Sequence, residues 1–255
     1  MHVWGRESWV ASVRPERPCV IGSGELKGRP LSADVTDFRL LAKVIDAKSK
    51  LSVQVHPNEL TCKVTGGEPK TEMWCMLGDG TIYAGFKDGV GPADVERALA
   101  ADSLEELLVG HEAKAGDVFM VPGGLVHSIG ADTRLFEVQQ SSDTTFRLYD
   151  WGRLGLDGRP RELHVEKALK AIDYSLRPPI TATSADCAHF RFRQLVVDGS
   201  AKLAATGRSK LLFAAKGGFS VGSLAVGEGG CALVPAGCDA ELSGSGARVF
   251  VTQEV

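Results

Sequence analysis

Three stretches of this chain concentrate reactive side chains: Leu51-Ser52-Val53-Gln54-Val55-His56-Pro57, Lys70-Thr71-Glu72, and the run from Gly116 to His127. Together they supply a Gln, a Glu and two His. An amide oxygen, a carboxylate and two imidazoles make a ligand set for one divalent metal ion. Zn²⁺ is the first choice for such mixed ligation, and Fe²⁺, Mn²⁺ or Co²⁺ suit similar donors. Side chains at i and i+2 of a strand share a face, so Gln54 and His56 point one way and Val53 and Val55 the other. Pro57 ends that strand, Glu72 opens the apolar run Met73 to Leu77, and His127 follows a glycine-rich turn. Either His taken singly reads as a surface or hydrogen-bonded core residue; the set at these spacings points to metal. A weak amide ligand leaves room for substrate oxygens, where a Lewis acid polarises a carbonyl and stabilises an enediolate. His2, His111 and His189 read as structural or surface residues, and His164 stays open.

The elements that must position these groups are short. Apolar runs such as Leu40 to Ile45, Leu51 to Val55, Val118 to Val121 and Leu211 to Ala215 recur between turn residues, the pattern of a β-rich fold. Two segments read as helices. Pro92 to Leu108 contains Ser103-Leu104-Glu105-Glu106, a capping-box pattern. Leu163 to Tyr174 has helical spacing and stops before Pro178-Pro179. An internal repeat stands out as well: Gly116-x5-Pro122-x-Gly124 is echoed by Gly229-x5-Pro235-x-Gly237. The first copy continues to His127, where the second has Ala240. The form G-x5-P-x-G-x2-H resembles a signature of the cupin barrels, double-sheet jelly rolls with a metal in the mouth, although Ala131 replaces their usual Asn. The expected fold is mainly β, two cupin-like jelly-roll barrels with a few helices. Residues 1–160 would carry the metal and the chemistry, and residues 161–255 a linker helix and a metal-free barrel, with Lys210 opposite Glu72.

Composition narrows the partners. A net charge of −3 and a pI near 6.1 provide no basic face for nucleic acid. No segment has the length of apolar sequence needed to span a membrane, and the first residues lack a signal-peptide pattern. Six cysteines without a C-x-x-C pair read as free thiols, so a cytoplasmic protein, monomer or homodimer, is expected.

Further segments carry a closer resemblance. Gly5-Arg6-Glu7-Ser8-Trp9, Leu40 to Ala47, Leu51 to Pro57, Lys70 to Trp74, Val121 to His127 and Glu137 through Arg153 resemble the type I mannose-6-phosphate isomerases, particularly their short bacterial branch. The likeness covers roughly residues 4 to 175 and is diffuse beyond. It implies reversible aldose–ketose isomerisation of mannose 6-phosphate and fructose 6-phosphate through a cis-enediol, with one Zn²⁺ per chain on Gln54, His56, Glu72 and His127. By the same resemblance Ser52 and Lys70 match positions associated with substrate phosphate, and Arg147 the catalytic arginine. Lys43, Glu137, Asp143 and Arg153 match other polar positions of the pocket. Glu137 is the first choice for the base and Lys43 the second; Asp143 orients Arg147 or stabilises a turn, and Arg153 is a phosphate ligand or a surface residue. A related cupin isomerase or epimerase for another sugar, and a sugar-binding cupin without turnover, are the competing functions.

Overall fold

The computed structural model describes residues 2–23, 26–177, 180–181 and 183–255. Its short apolar runs form strands separated by turns, and the chain is mainly β. Two compact units result: Met1–Ser8 with Val44–Ala182, and Trp9–Lys43 with Thr183–Val255. The division drawn from the sequence cuts the chain once, at 160/161. These units instead take residues 9–43 into the second and the helix Val165–Ala171 into the first.

Two sheets contain the strands of the first unit. One has the strand order Gly5–Ala11, Leu40–Ala47, Thr133–Gln140, Glu72–Met76, Val118–Val121, Ile180–Thr181; the other runs Phe146–Tyr149, Val53–Val55, His127–Ile129, Gly80–Phe86, Leu108–Ala113. Trp74, Met76 and Phe119 of the first pack with Ile82, Ala84 and Ile129 of the second in one core, the jelly-roll arrangement expected. On the other face of the five-stranded sheet, Val53, Val55, Phe146 and Leu148 cluster with Val95 and Ala98 of the helix Pro92–Ala100 and with Ala168 and Ala171 of Val165–Ala171. Burying each of these larger side chains contributes about 1.5–3 kcal/mol. Alternation then leaves Gln54 facing the space between the sheets.

Both helices are shorter than their sequence patterns. Pro92–Ala100 ends where Asp102 takes a left-handed φ of 55°, and Leu104–Leu107 is a separate 3-10 turn. Asp94 supplies the N-terminal cap, accepting a hydrogen bond from the Gly91 N–H at 2.9 Å, whereas Ser103 makes no side-chain cap. Leu163 lies ahead of the second helix and is 44% exposed, and the backbone turns extended at Ile172. Pro178-Pro179 lies outside the described residues. No helix among the described residues is long and apolar enough to cross a membrane. All six cysteines are free thiols; Cys75 is buried, but Cys231 is exposed rather than part of the core.

The second unit holds a sheet in the order Ser184–Asp186, Phe190–Leu203, Ala240–Glu254, Lys210–Lys216, Cys231–Val234, with a hairpin of Phe219–Val221 and Leu224–Val226. Val197, Leu212, Val234, Leu242, Val249 and Val251 belong to its core. Strand register repeats that of the first unit. Glu72 stands between Val121 and Gln139, and Lys210 stands between Val234 and Gln253. Both valines immediately precede the Pro-x-Gly of the repeat. In the same way Gln54 opposes His127, and Leu203 opposes Ala240.

Candidate metal centre

Pairing across the five-stranded sheet sets Arg147, Gln54 and His127 in a row, since Gln54 is the register partner of both others. Directly opposed residues share a face. Glu72 comes from the neighbouring sheet, and His56 follows the strand that carries Gln54. The turn before His127 docks on this segment: the Gly124 N–H donates to the His56 carbonyl at 2.8 Å. Gly124 has a φ of 97°, and a Cβ on Gly123 would stand 2.7 Å from the Pro57 oxygen. The glycines of the motif are there because the two backbones nearly touch.

The donor atoms converge. His56, Glu72 and His127 each offer a ligand atom, all within 4.8 Å of one another, and all three residues are buried. Glu72 Oε1 lies 3.3 Å from His56 Nε2, and Glu72 Oε2 3.9 Å from His127 Nε2. His56 Nδ1 is 2.8 Å from the Thr144 carbonyl and His127 Nδ1 2.9 Å from the Leu125 carbonyl. A carbonyl only accepts, so each Nδ1 carries the proton and each Nε2 lone pair faces the cluster, the arrangement of a metal-ligating imidazole. Glu72 Oε2 is buried with no hydrogen-bond partner among the described residues. A buried carboxylate oxygen left so is costly, and a cation between the imidazoles would satisfy it. The donor set therefore fits a metal ion. The Gln54 amide nitrogen is 3.3 Å from His127 Nε2 and its oxygen 3.4 Å from Ser52 Oγ; a half-turn of the amide exchanges the two ends.

Electrostatics favour this state. Burial, with Lys70 adding to it, pushes the His56 imidazole down to about 3, and burial also lowers His127. Burial works to raise the Glu72 carboxyl, but the Lys70 ammonium and the two imidazoles outweigh it and hold Glu72 well below the ordinary carboxylate range. The centre thus presents two neutral imidazoles and one carboxylate, all in the form that binds metal.

The other expected residues are distributed unevenly. Lys70 lies inside the cluster, its Nζ 2.6 Å from Glu72 Oε1 and 3.3 Å from His56 Nε2. Ser52 is buried beside Gln54. Glu137 is buried, and its Oε2 accepts from Trp74 Nε1 at 3.0 Å; the Trp74 ring in turn meets His127 edge-on with centroids 5.3 Å apart. Arg147 donates from Nη1 to the Glu162 carbonyl at 2.7 Å, while its Nε is buried without a partner among the described residues. Burial, with Arg161 adding to it, lowers the affinity of that guanidinium for its proton. Arg153 grips Asp150 at 2.6 and 3.0 Å, and Arg161 reaches the same carboxylate at 3.3 Å. Asp143 is exposed. Lys43 is buried in the second unit with its Nζ 5.8 Å from the centre of the Trp9 ring.

Sequence reasoning passed over Thr144, Leu125 and Asp150 and left His164 open. Thr144 and Leu125 act through backbone carbonyls, which no residue type announces. His164 accepts the Arg147 backbone N–H on Nδ1 at 3.2 Å. Asp150 anchors two arginines, and its place three residues before Arg153 was the available signal.

No known family profile matches the chain. It is 35% identical to the mannose-6-phosphate isomerase of Streptococcus mutans over 196 residues, 70% of this chain and 61% of that protein. The chain thus spans less than two thirds of that relative's length. The crystal structure of the mannose 6-phosphate isomerase from Bacillus subtilis superposes with a TM-score of 0.83 at 24% identity, covering 96% of this chain and 88% of the other. A crystal structure of a mannose 6-phosphate isomerase bound with zinc and yttrium gives a TM-score of 0.69 at 16% identity over 97% and 90% of the two chains. These two likenesses concern the fold. The sequence itself carries the kinship: being 32% identical to the Bacillus subtilis mannose-6-phosphate isomerase ManA over 226 residues, 77% of its own length and 71% of that relative's, this chain belongs to the mannose-6-phosphate isomerase family.

Proposed function

We propose that the protein is a zinc-dependent aldose–ketose isomerase that interconverts mannose 6-phosphate and fructose 6-phosphate in the cytoplasm. The observation that carries this reading is the buried His56–Glu72–His127 cluster with both Nε2 lone pairs turned inward. Membership of the family and the zinc held by a protein of like fold support it. His56, Glu72 and His127, with the Gln54 amide oxygen after its half-turn, would hold one Zn²⁺. When bound, the ion supplies a Lewis acid that polarises the substrate carbonyl.

The chain's own groups have the remaining tasks. The reaction moves a proton between C2 and C1 through a cis-enediol, so it needs a base that keeps the proton and hands it back. Glu137 is assigned that role: it is a buried carboxylate oriented through one oxygen by Trp74, as a positioned general base must be. Lys43 is the second choice. Arg147 is assigned to the negative charge on O1 or O2; its register with Gln54 and its buried Nε, a free donor, support that role. Lys70 and Ser52 are assigned to the substrate phosphate, together with Arg153 and Asp143. Holding the phosphate orients the reacting end from a distance.

One feature favours a second reading. Lys70 is engaged by Glu72 and Arg153 by Asp150, so two of the expected phosphate contacts already have carboxylate partners. An isomerase or epimerase for an unphosphorylated sugar would need neither. A coupled assay with mannose 6-phosphate and with mannose, before and after chelation and again with added Zn²⁺, separates the two. Turnover of the phosphate ester that disappears with chelator and returns with zinc supports the proposal. Turnover of mannose alone would establish the second reading, and no turnover of either by folded, zinc-loaded protein would refute both.

A further inference from the structure

Lys210 takes no part in the chemistry above, yet it is among the most unusual side chains of the second unit. It is 2% exposed, and its Nζ is buried without a hydrogen-bond partner among the described residues. A buried ammonium without a partner is costly. Its position is also specific. Between Val234 and Gln253 it holds the register place that Glu72 holds between Val121 and Gln139. Around it the other ligand positions are emptied, with Leu203 and Ala240 standing where Gln54 and His127 stand. An imidazole has become a methyl group, and a carboxylate has become an ammonium.

A second cation shares this face. Arg193 is the register partner of Val251, two residues from Gln253, so Arg193, Gln253 and Lys210 all point to one side of the sheet. The Arg193 side chain is exposed and makes no hydrogen bond or ion pair among the described residues. Burial loosens the Lys210 ammonium's hold on its proton and Arg193 adds to this, while Asp239 and Cys238 act the other way. The nearby acid has partners of its own. Asp239 accepts from Lys202 at 3.0 Å and from the Ala205 N–H at 2.7 Å. Two like charges therefore share one face of the sheet with Gln253, and neither makes an ion pair among the described residues.

We propose that this end of the second barrel is an anion site, in which Lys210 and Arg193 take a phosphate group, either inorganic phosphate or a phosphate monoester. It inverts the charge of the metal centre on the same strand framework and is independent of the isomerase reading. An arriving dianion would pair both cations at once, with the Gln253 amide as an added donor.

Isothermal titration of the full chain with inorganic phosphate, and separately with mannose 6-phosphate, tests the site. It is done on wild type, K210M, R193Q and K70M, the last removing the lysine assigned to the substrate phosphate. Wild type and K70M should bind inorganic phosphate, and K210M and R193Q should bind it at least about tenfold more weakly. K210M exchanges an unpaired buried charge for an apolar chain of similar shape and should melt higher in phosphate-free buffer; R193Q alters an exposed residue. Retention of full phosphate affinity in both K210M and R193Q, or loss of it in K70M alone, would overturn the proposal. Binding of mannose 6-phosphate but not inorganic phosphate to K70M, removed by K210M, would identify the monoester as the occupant. Because no turnover is read, failure here leaves the isomerase reading untouched, and the reverse also holds.

Discussion

Each imidazole of the centre is oriented by a backbone carbonyl, Thr144 for His56 and Leu125 for His127. A carbonyl cannot be removed by changing the residue that bears it, so the tautomers are fixed more securely than a side-chain partner would allow. The ligands themselves are open to test. H127Q and E72Q should each weaken metal binding by well over the roughly 10–100-fold typical of losing an outlying partner, measured by calorimetric titration of chelator-stripped protein. Undiminished affinity in either would remove that residue from the ligand set. The same burial gives a pH dependence. In metal-stripped protein His56 stays neutral down to about pH 3, whereas its ordinary value is 6.5. Between those values the unfolded chain binds the additional proton, so this contribution is complete above about pH 6.5 and is lost as pH falls towards 3. The melting temperature of stripped protein should decline over that window and decline less in H56Q.

Glycine has its effect through the elements it lets approach. Gly123 lies where a Cβ would stand 2.7 Å from one backbone oxygen and 2.9 Å from the Asn58 Cα. Neither neighbour is the end of a flexible side chain. G123A should cost about 1–3 kcal/mol and weaken metal binding as well, because the displaced turn carries His127. Urea unfolding and the same titration measure the two effects, and an unchanged urea midpoint would show that the turn has slack. This turn and the strand that carries Gln54 and leads into His56 were readable in the sequence, since period-two alternation and Pro-Gly chemistry are local. The helix over Pro92 to Leu108 was not. Its break rests on the left-handed Asp102, a conformation that the sequence permits but does not require. The placing of Lys70 was equally illegible, because four rotatable bonds let one lysine reach either a substrate or Glu72.

On the scale of the whole chain, each unit has a core of its own. Metal bound in one raises the stability of that one by mass action. Scanning calorimetry should accordingly resolve two transitions, of which chelation lowers one; a single transition shifted as a whole would show the units unfolding together. The repeated register has a consequence beyond this. The chain contains, in effect, its own ligand-deletion experiment. In the second unit Leu203, Lys210 and Ala240 stand at the places of Gln54, Glu72 and His127, and the strand pairs at those places are kept. That framework evidently does not need an ion to form. The first unit, stripped of any metal, should therefore stay a folded barrel and not collapse like a zinc finger.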